Sequence, residues 1–227
     1  MEQLPLFLFF IFALWAGLTH AFEPDHVLAV SNIVSQRNKI WHAVKDGIYW
    51  GLGHTSTIFI VGVIMILFKV NIPYSSFSYF EAIVGLMLII VATYRAVIFF
   101  REERFIAHKH THEHAGENTH LHIHIHARGK KLHQASYGIG LVHGLAGSGA
   151  LVVLVMTQIK SMIDSLLYLL IFGIGSVIGM VLVTGVFSIP FSKKLSASNF
   201  FKALLIFLSS GLCFAYGCYS IYKNLFA

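Results

Sequence analysis

Charge is scarce in this chain: only 11% of its 227 residues are Asp, Glu, Lys or Arg, against 56% hydrophobic. No soluble domain of this length has so little to show water, and the composition is that of a membrane protein. Cysteine is rarer still. Cys213 and Cys218 stand alone, and five positions apart on one helix they point in different directions, which excludes a disulfide framework and a thiolate metal site. No basic residue precedes Arg37, while Glu2 is present. The first apolar run therefore lacks the positive start of a secretory signal and reads as a retained membrane helix.

Motifs of chemistry and of energy supply are missing as well. The chain has no G-x4-G-K-[ST] phosphate loop, so nucleotide hydrolysis in this polypeptide is not expected. The zinc-protease pattern H-E-x-x-H fails because Gly116 follows His112-Glu113-His114-Ala115. A rhomboid-type G-x-S-G fails at Ala146, although Ser148 and His143 keep an intramembrane hydrolase open as a minor alternative to a protein that is no enzyme.

What is present is apolar and periodic. Six runs are long enough to cross a bilayer, at roughly 4–22 (extending to 36 past a break), 43–68, 79–100, 136–159, 163–189 and 200–222. The fold class expected is an all-α integral membrane protein of six transmembrane helices, one membrane domain over 1–227. Twelve Lys and Arg fall in the first, third and fifth connections, and three, Lys69, Lys160 and Lys223, on the other side. By the positive-inside rule those three connections are cytoplasmic and both termini outside, in the cell membrane. The net charge of +6 thus records topology and does not call for nucleic acid; the partner implied is the lipid bilayer.

The halves echo one another. Gly17-Leu-Thr-His20-Ala21 recurs as Gly140-Leu-Val-His143-Gly144 at an offset of 123, Gly51-Leu-Gly-His54 as Gly173-Ile-Gly-Ser176 at 122, and Phe80-Glu-Ala82 as Phe201-Lys-Ala203 at 121. Three crossings per half require the second half, 136–227, to be inverted against the first, 1–100, a common transporter plan whose sites lie at broken helices near the midplane.

The break is expected in His20-Ala-Phe-Glu23-Pro24-Asp25-His26. Pro24 has no N–H, and its ring clashes with the carbonyl of His20. On an unbroken helix, six steps of about 100° would turn His20 and His26 to different faces. An interruption lets His20, Asp25 and His26 face one point. Imidazole with carboxylate suits a borderline divalent ion such as nickel, cobalt or zinc, and ionisable groups inside a membrane read as functional. The bland alternative is a helix end meeting lipid headgroups. His54 sits mid-run between Gly51-Leu-Gly53 and Thr55-Ser-Thr57, either a hydrogen-bonded packing residue or a further ligand. His143 lies among glycines, at a tight crossing or on a broken helix lining a pathway.

The one polar insertion, 101–135, carries His108, His110, His112 and His114, then His120, His122, His124 and His126. Alternate residues of an extended chain share a side, and a His-rich tract reads as metal binding. A metal sensor or store would explain this tract and leave the six crossings unexplained.

These residues resemble a known family. His20-x4-Asp25-His26 is similar to the H-x4-D-H signature of the nickel/cobalt transporter superfamily. Leu52-Gly-His54-Thr-Ser-Thr-Ile58 resembles its second motif, and Gly140-Leu-Val-His143-Gly-Leu-Ala-Gly-Ser148 its six-helix, urease-accessory branch. The resemblance implies a secondary transporter of Ni2+ or Co2+, with Zn2+ able to bind in vitro and no resident cofactor. It implies His20, Asp25, His26 and His54 as metal ligands, with Glu23 and His143 as pathway or additional ligands. Two departures stand out: bacterial high-affinity members have eight helices, and Thr-Ser-Thr stands where Ser-Thr is usual. Six helices with a His-rich loop also resemble the efflux branch, so import and export both stay open.

Two predictions follow from the charges and the insertion. A reporter fused after Ala227 should read outside the cytoplasm; a cytoplasmic signal would overturn the orientation. The His-rich loop, facing the cytoplasm, would collect ions at the mouth or offer them to a metallochaperone, and ordering such a chain limits affinity per ligand. Deleting 108–126 should therefore preserve folding and some transport while changing the metal concentration needed. Complete loss in the deletion beside normal transport by His54→Ala, at matched expression, would reverse the roles.

Overall fold

A computed structural model of the chain describes residues 6–37, 39–68, 73–105, 129–145, 159, 161–192 and 199–227. Among them are seven helices and no strand: α1 Leu6–His20, α2 Pro24–Val34, α3 Ile40–Phe68, α4 Tyr74–Phe105, α5 Gly129–His143, α6 Met162–Ser188 and α7 Asn199–Leu225. Four of them, α3, α4, α6 and α7, are long and apolar enough to cross a membrane, and α1 with α2 makes a fifth such span bent by 53°. The expected fourth run, 136–159, begins inside α5 and continues into residues outside those described. The chain is a multi-pass membrane protein, and every regular element among its described residues is a helix.

The interruption lies where proline chemistry puts it. Glu23 takes the extended conformation, φ −60° and ψ 147°, and Pro24 opens α2 at its first turn, where a missing N–H costs nothing. Between the helices the chain tightens: the Phe22 N–H donates to Thr19 O and the Glu23 N–H to His20 O, both at 3.0 Å.

An eleven-residue helix is too short to hold itself, and α2 is tied down by polar contacts. Asn32 donates to Ser209 O at 3.2 Å and accepts from Ser210 Oγ at 2.8 Å, both on α7. Arg95, almost fully buried on α4, donates to Ser35 Oγ at 2.6 Å and to Ser35 O at 3.2 Å. Its charge thus meets the negative end of α2.

The insertion is shorter than the sequence suggests. α4 runs on to Phe105 and α5 starts at Gly129, so both ends of the expected loop 101–135 are helical. Arg101-Glu-Glu-Arg104 are good helix formers and extend α4 beyond its apolar part. The eight histidines between 108 and 126 lie outside the described residues, as does Ser148.

Polarity is arranged inside out. Large apolar side chains such as Phe7, Phe12, Ile60, Phe68, Ile90 and Leu208 are exposed, while His20, His26, Asn32, Asp46, His54, Arg95 and His143 are buried. Such a surface suits hydrocarbon, and such an interior must satisfy its polar groups internally.

Helices approach at glycine. A Cβ on Gly17 of α1 would strike the Phe172 carbonyl of α6 and lie 2.9 Å from Ser176 N; one on Gly140 of α5 would strike the Trp50 carbonyl of α3 and lie 3.0 Å from His54 N. All three positions of the first contact move to those of the second under the offsets seen between the halves. The reciprocal contacts agree: Gly175 sits against Leu14 O and Leu18 N, and Gly53 against Tyr137 O and Leu141 N. The α1–α6 and α5–α3 crossings are thus equivalent, and each sets a histidine-bearing helix end beside a long helix.

The crossings predict a contrast within one helix. Among the described residues, Gly138 has nothing within 4 Å of an added Cβ, whereas Gly140 has backbone in the way. Gly138→Ala should leave expression and thermal stability in detergent unchanged or slightly improved. Gly140→Val should force α3 and α5 apart and cost about 1–3 kcal/mol or more, seen as aggregation on size exclusion or a lower Tm. Equal behaviour of the two would refute the close crossing.

Candidate metal centre

Four chain segments deliver five side chains to one buried point. α1 ends on His20, the first turn of α2 presents Asp25 and His26, the middle of α3 brings His54, and α5 ends on His143. None of the five residues is more than 8% exposed as a whole, and the Asp25 side chain is 12% exposed. The break makes this possible: His26 can approach His20 because α2 leaves α1 at an angle.

The donor atoms are close. His20 Nε2 faces His54 Nε2 at 2.9 Å, and His20 Nδ1 lies 3.0 Å from Glu23 Oε1. With its Nδ1–H given to the carboxylate, a neutral His20 keeps its lone pair on Nε2, and the His54 ring is the donor between them. Asp25 Oδ1 lies 2.9 Å from His26 Nδ1, and Asp25 Oδ2 lies 3.1 Å from His143 Nε2. Carboxylates that hold one ring nitrogen and orient the other are the usual support of metal-binding imidazoles.

Two groups of three have ligand atoms within 4.8 Å of one another: His20 with His26 and His54, and Asp25 with His26 and His143. Among the described residues, His26 Nε2, His54 Nδ1 and His143 Nδ1 are buried without a hydrogen-bond partner. Unpartnered buried nitrogens are costly, and at His26, whose Nδ1 is held by Asp25, a bound cation would relieve the free Nε2.

Of the four sequence-predicted ligands, His20, His26 and His54 fall in one group, and Asp25 meets His26 in the other, which His143 completes. Glu23 stands at the rim, its side chain 38% exposed, touching His20. The helix ends matter too. α1 and α5 both terminate at the cluster, and the C-terminal end of a helix carries partial negative charge that favours a cation.

Sequence reasoning passed over two features. Trp50 is fully buried, stacks on His26 at 5.8 Å between ring centroids and 16° between planes, and lies 5.5 Å from His143. Its position one helical turn before His54 was the available signal. Phe172, its counterpart in the other half, lies 5.7 Å from His20. The second feature is Asp46, two turns before His54 on α3. Its buried carboxylate accepts from Arg37 Nη2 at 2.7 Å, lies 2.6 Å from His133 Nδ1, and accepts from Ser136 Oγ at 3.2 Å. This network ties the α2–α3 connection to α5 and balances an acidic group that the bilayer interior would not otherwise accept.

Comparison with known proteins agrees with the geometry. The family model for the high-affinity nickel-transport protein (NicO) matches residues 6–214. The urease accessory protein UreH of Bacillus sp. (strain TB-90) is 36% identical over 213 residues, covering 92% of this chain and 90% of that protein. No solved structure matches. A break at proline, a buried imidazole–carboxylate cluster and a match over nearly the whole chain lead to one conclusion: this chain belongs to the NicO family of high-affinity nickel-transport proteins, metal-ion transporters and not enzymes.

Proposed function

We propose that the chain is a secondary transporter that carries Ni2+ or Co2+ across the cytoplasmic membrane. In this reading the ion is held among His20, Asp25, His26 and His54, with His143 on its path. The observation that carries it is the convergence of these buried groups at the ends of two helices that stop inside the apolar part of the chain.

The chemistry of the donor set supports the choice of cargo. Three or more imidazoles and a single carboxylate suit borderline transition metals and are a poor offer to Mg2+ or Ca2+, which take oxygen ligands.

The scaffold in this proposal has six crossings in two inverted halves. α1 with α2, α3 and α4 form the first, and α5 with the residues beyond it, α6 and α7 the second. α1 and α5 then enter from opposite faces and meet at the cluster, both termini lie outside, and the His-rich insertion faces the cytoplasm. That cytoplasmic imidazole tract also fits an exporter, which it would supply with ions. Uptake measured in right-side-out and inverted vesicles separates the directions.

Replacing His20 or His26 by Ala should lower Ni2+ and Co2+ transport more than tenfold at matched expression, by analogy with losses of 10–100-fold on removing supporting groups. Protons compete with the ion for imidazole lone pairs, so binding should weaken as pH falls and recover as it rises. Unchanged transport by both variants would refute the proposal.

A further inference from the structure

The two groups of three ligands share a single residue, His26. His20 and His143 occupy equivalent positions in the two halves, whereas the position equivalent to His26 is Gly149. The His26 ring lies 4.5 Å from that of His20 and 4.3 Å from that of His143. An unduplicated imidazole thus stands midway between two duplicated ones. It is fully buried, its Nε2 has no hydrogen-bond partner among the described residues, and Trp50 stacks against it.

The groups differ in chemistry. His20, His26 and His54 offer three imidazoles and no formal charge. Asp25, His26 and His143 offer two imidazoles and a carboxylate. They also differ in address, one at the end of α1 and the other at the end of α5.

We propose that these are two overlapping subsites of the pathway, and that the ion passes between them with His26 as the ligand common to both. The proposal rests on the transport reading above. A neutral imidazole has one lone pair, so His26 serves one ion at a time, and one subsite fills as the other empties. In the transfer, His20 and His54 are exchanged for Asp25 and His143 while His26 remains. With α1 and α5 entering from opposite faces, each subsite opens toward one side. The charged subsite is the one at the end of α5, which follows the His-rich insertion in the chain. Gly144, just beyond His143, packs against the His54 carbonyl, which keeps the two subsites adjacent.

The test uses the full-length chain in detergent, with the eight histidines between 108 and 126 replaced by Asn to remove loop binding. Co2+ binding is followed by equilibrium dialysis and by visible absorption. The background chain should bind one ion. His54→Ala, which spares Asp25, His26 and His143, should still bind one ion at least tenfold more weakly. His143→Ala, which spares His20, His26 and His54, should do the same with a different absorption spectrum, since its ligands are all nitrogen. The double variant should bind none. Asn at the same positions replaces Ala wherever the Ala chain aggregates. Loss of all binding in either single variant, or identical spectra and affinities in the two, would mean one undivided site and overturn the proposal. A different failure marks the underlying reading: no Co2+ bound by the background chain, or undiminished binding by His26→Ala.

Discussion

A missing hydrogen bond organises the centre of this protein. Pro24 cannot donate to the carbonyl of His20, so α1 ends there and α2 begins on a new axis, 53° away. The last carbonyls of α1 are closed off by the Phe22 and Glu23 N–H groups, and the negative end of the helix stays inside the bundle, where it favours positive charge. The first turn of α2 brings the opposite tendency, since a helix N-terminus repels cations. Asp25 sits in that turn, and its carboxylate offsets the dipole while holding His26 and His143. One residue without an N–H thus creates the space, the angle and the charge pattern of the cluster.

The break would be useless without close packing around it. α1 and α5 reach the centre only because Gly17, Gly53, Gly140 and Gly175 let backbone meet backbone. Small residues at crossings are how membrane helices associate when no hydrophobic effect drives them together. The same glycines carry the equivalence of the two halves. Their duplication is a steric requirement repeated, since each half must bring one histidine-bearing helix end against one long helix.

Much of this was legible in the chain, for identifiable reasons. Pro24 and its neighbours give the break, because proline acts on backbone alone and needs no tertiary context. The clustering of His20, Asp25, His26 and His54 is legible because charge and imidazole are rare in apolar runs, so each occurrence is informative. The place of His143 was only half legible. Its neighbouring glycines said that something packs closely but not that the helix stops there, nor that Asp25 reaches it. Trp50 and Asp46 were missed for opposite reasons. Tryptophan is common enough in apolar segments to pass unnoticed. Asp46 was hidden by its closeness to the expected membrane boundary, where an acidic residue looks solvated. Its partners Arg37 and His133 are 9 and 87 residues away, distances no local pattern spans. The ends of the insertion were misjudged because polar residues that form good helices look like loop when only hydropathy is followed.

The symmetry of the scaffold and the asymmetry of the ligands belong together. Had the second half kept its own copies, Gly149 would be a histidine and Ser176 another, beside those already present. A cluster of that size at one point would hold an ion too tightly to release it, and conduction needs binding weak enough to leave. Keeping His20 and His143 as a pair, while His26, Asp25 and His54 remain single, gives each side a histidine and the middle one set of partners. Ser176 keeps a small polar group where His54 has its counterpart, buried and without a partner among the described residues. In the proposed pathway the two equivalent helix crossings set where its halves meet, and a single set of His26, Asp25 and His54 keeps that meeting point from becoming a trap.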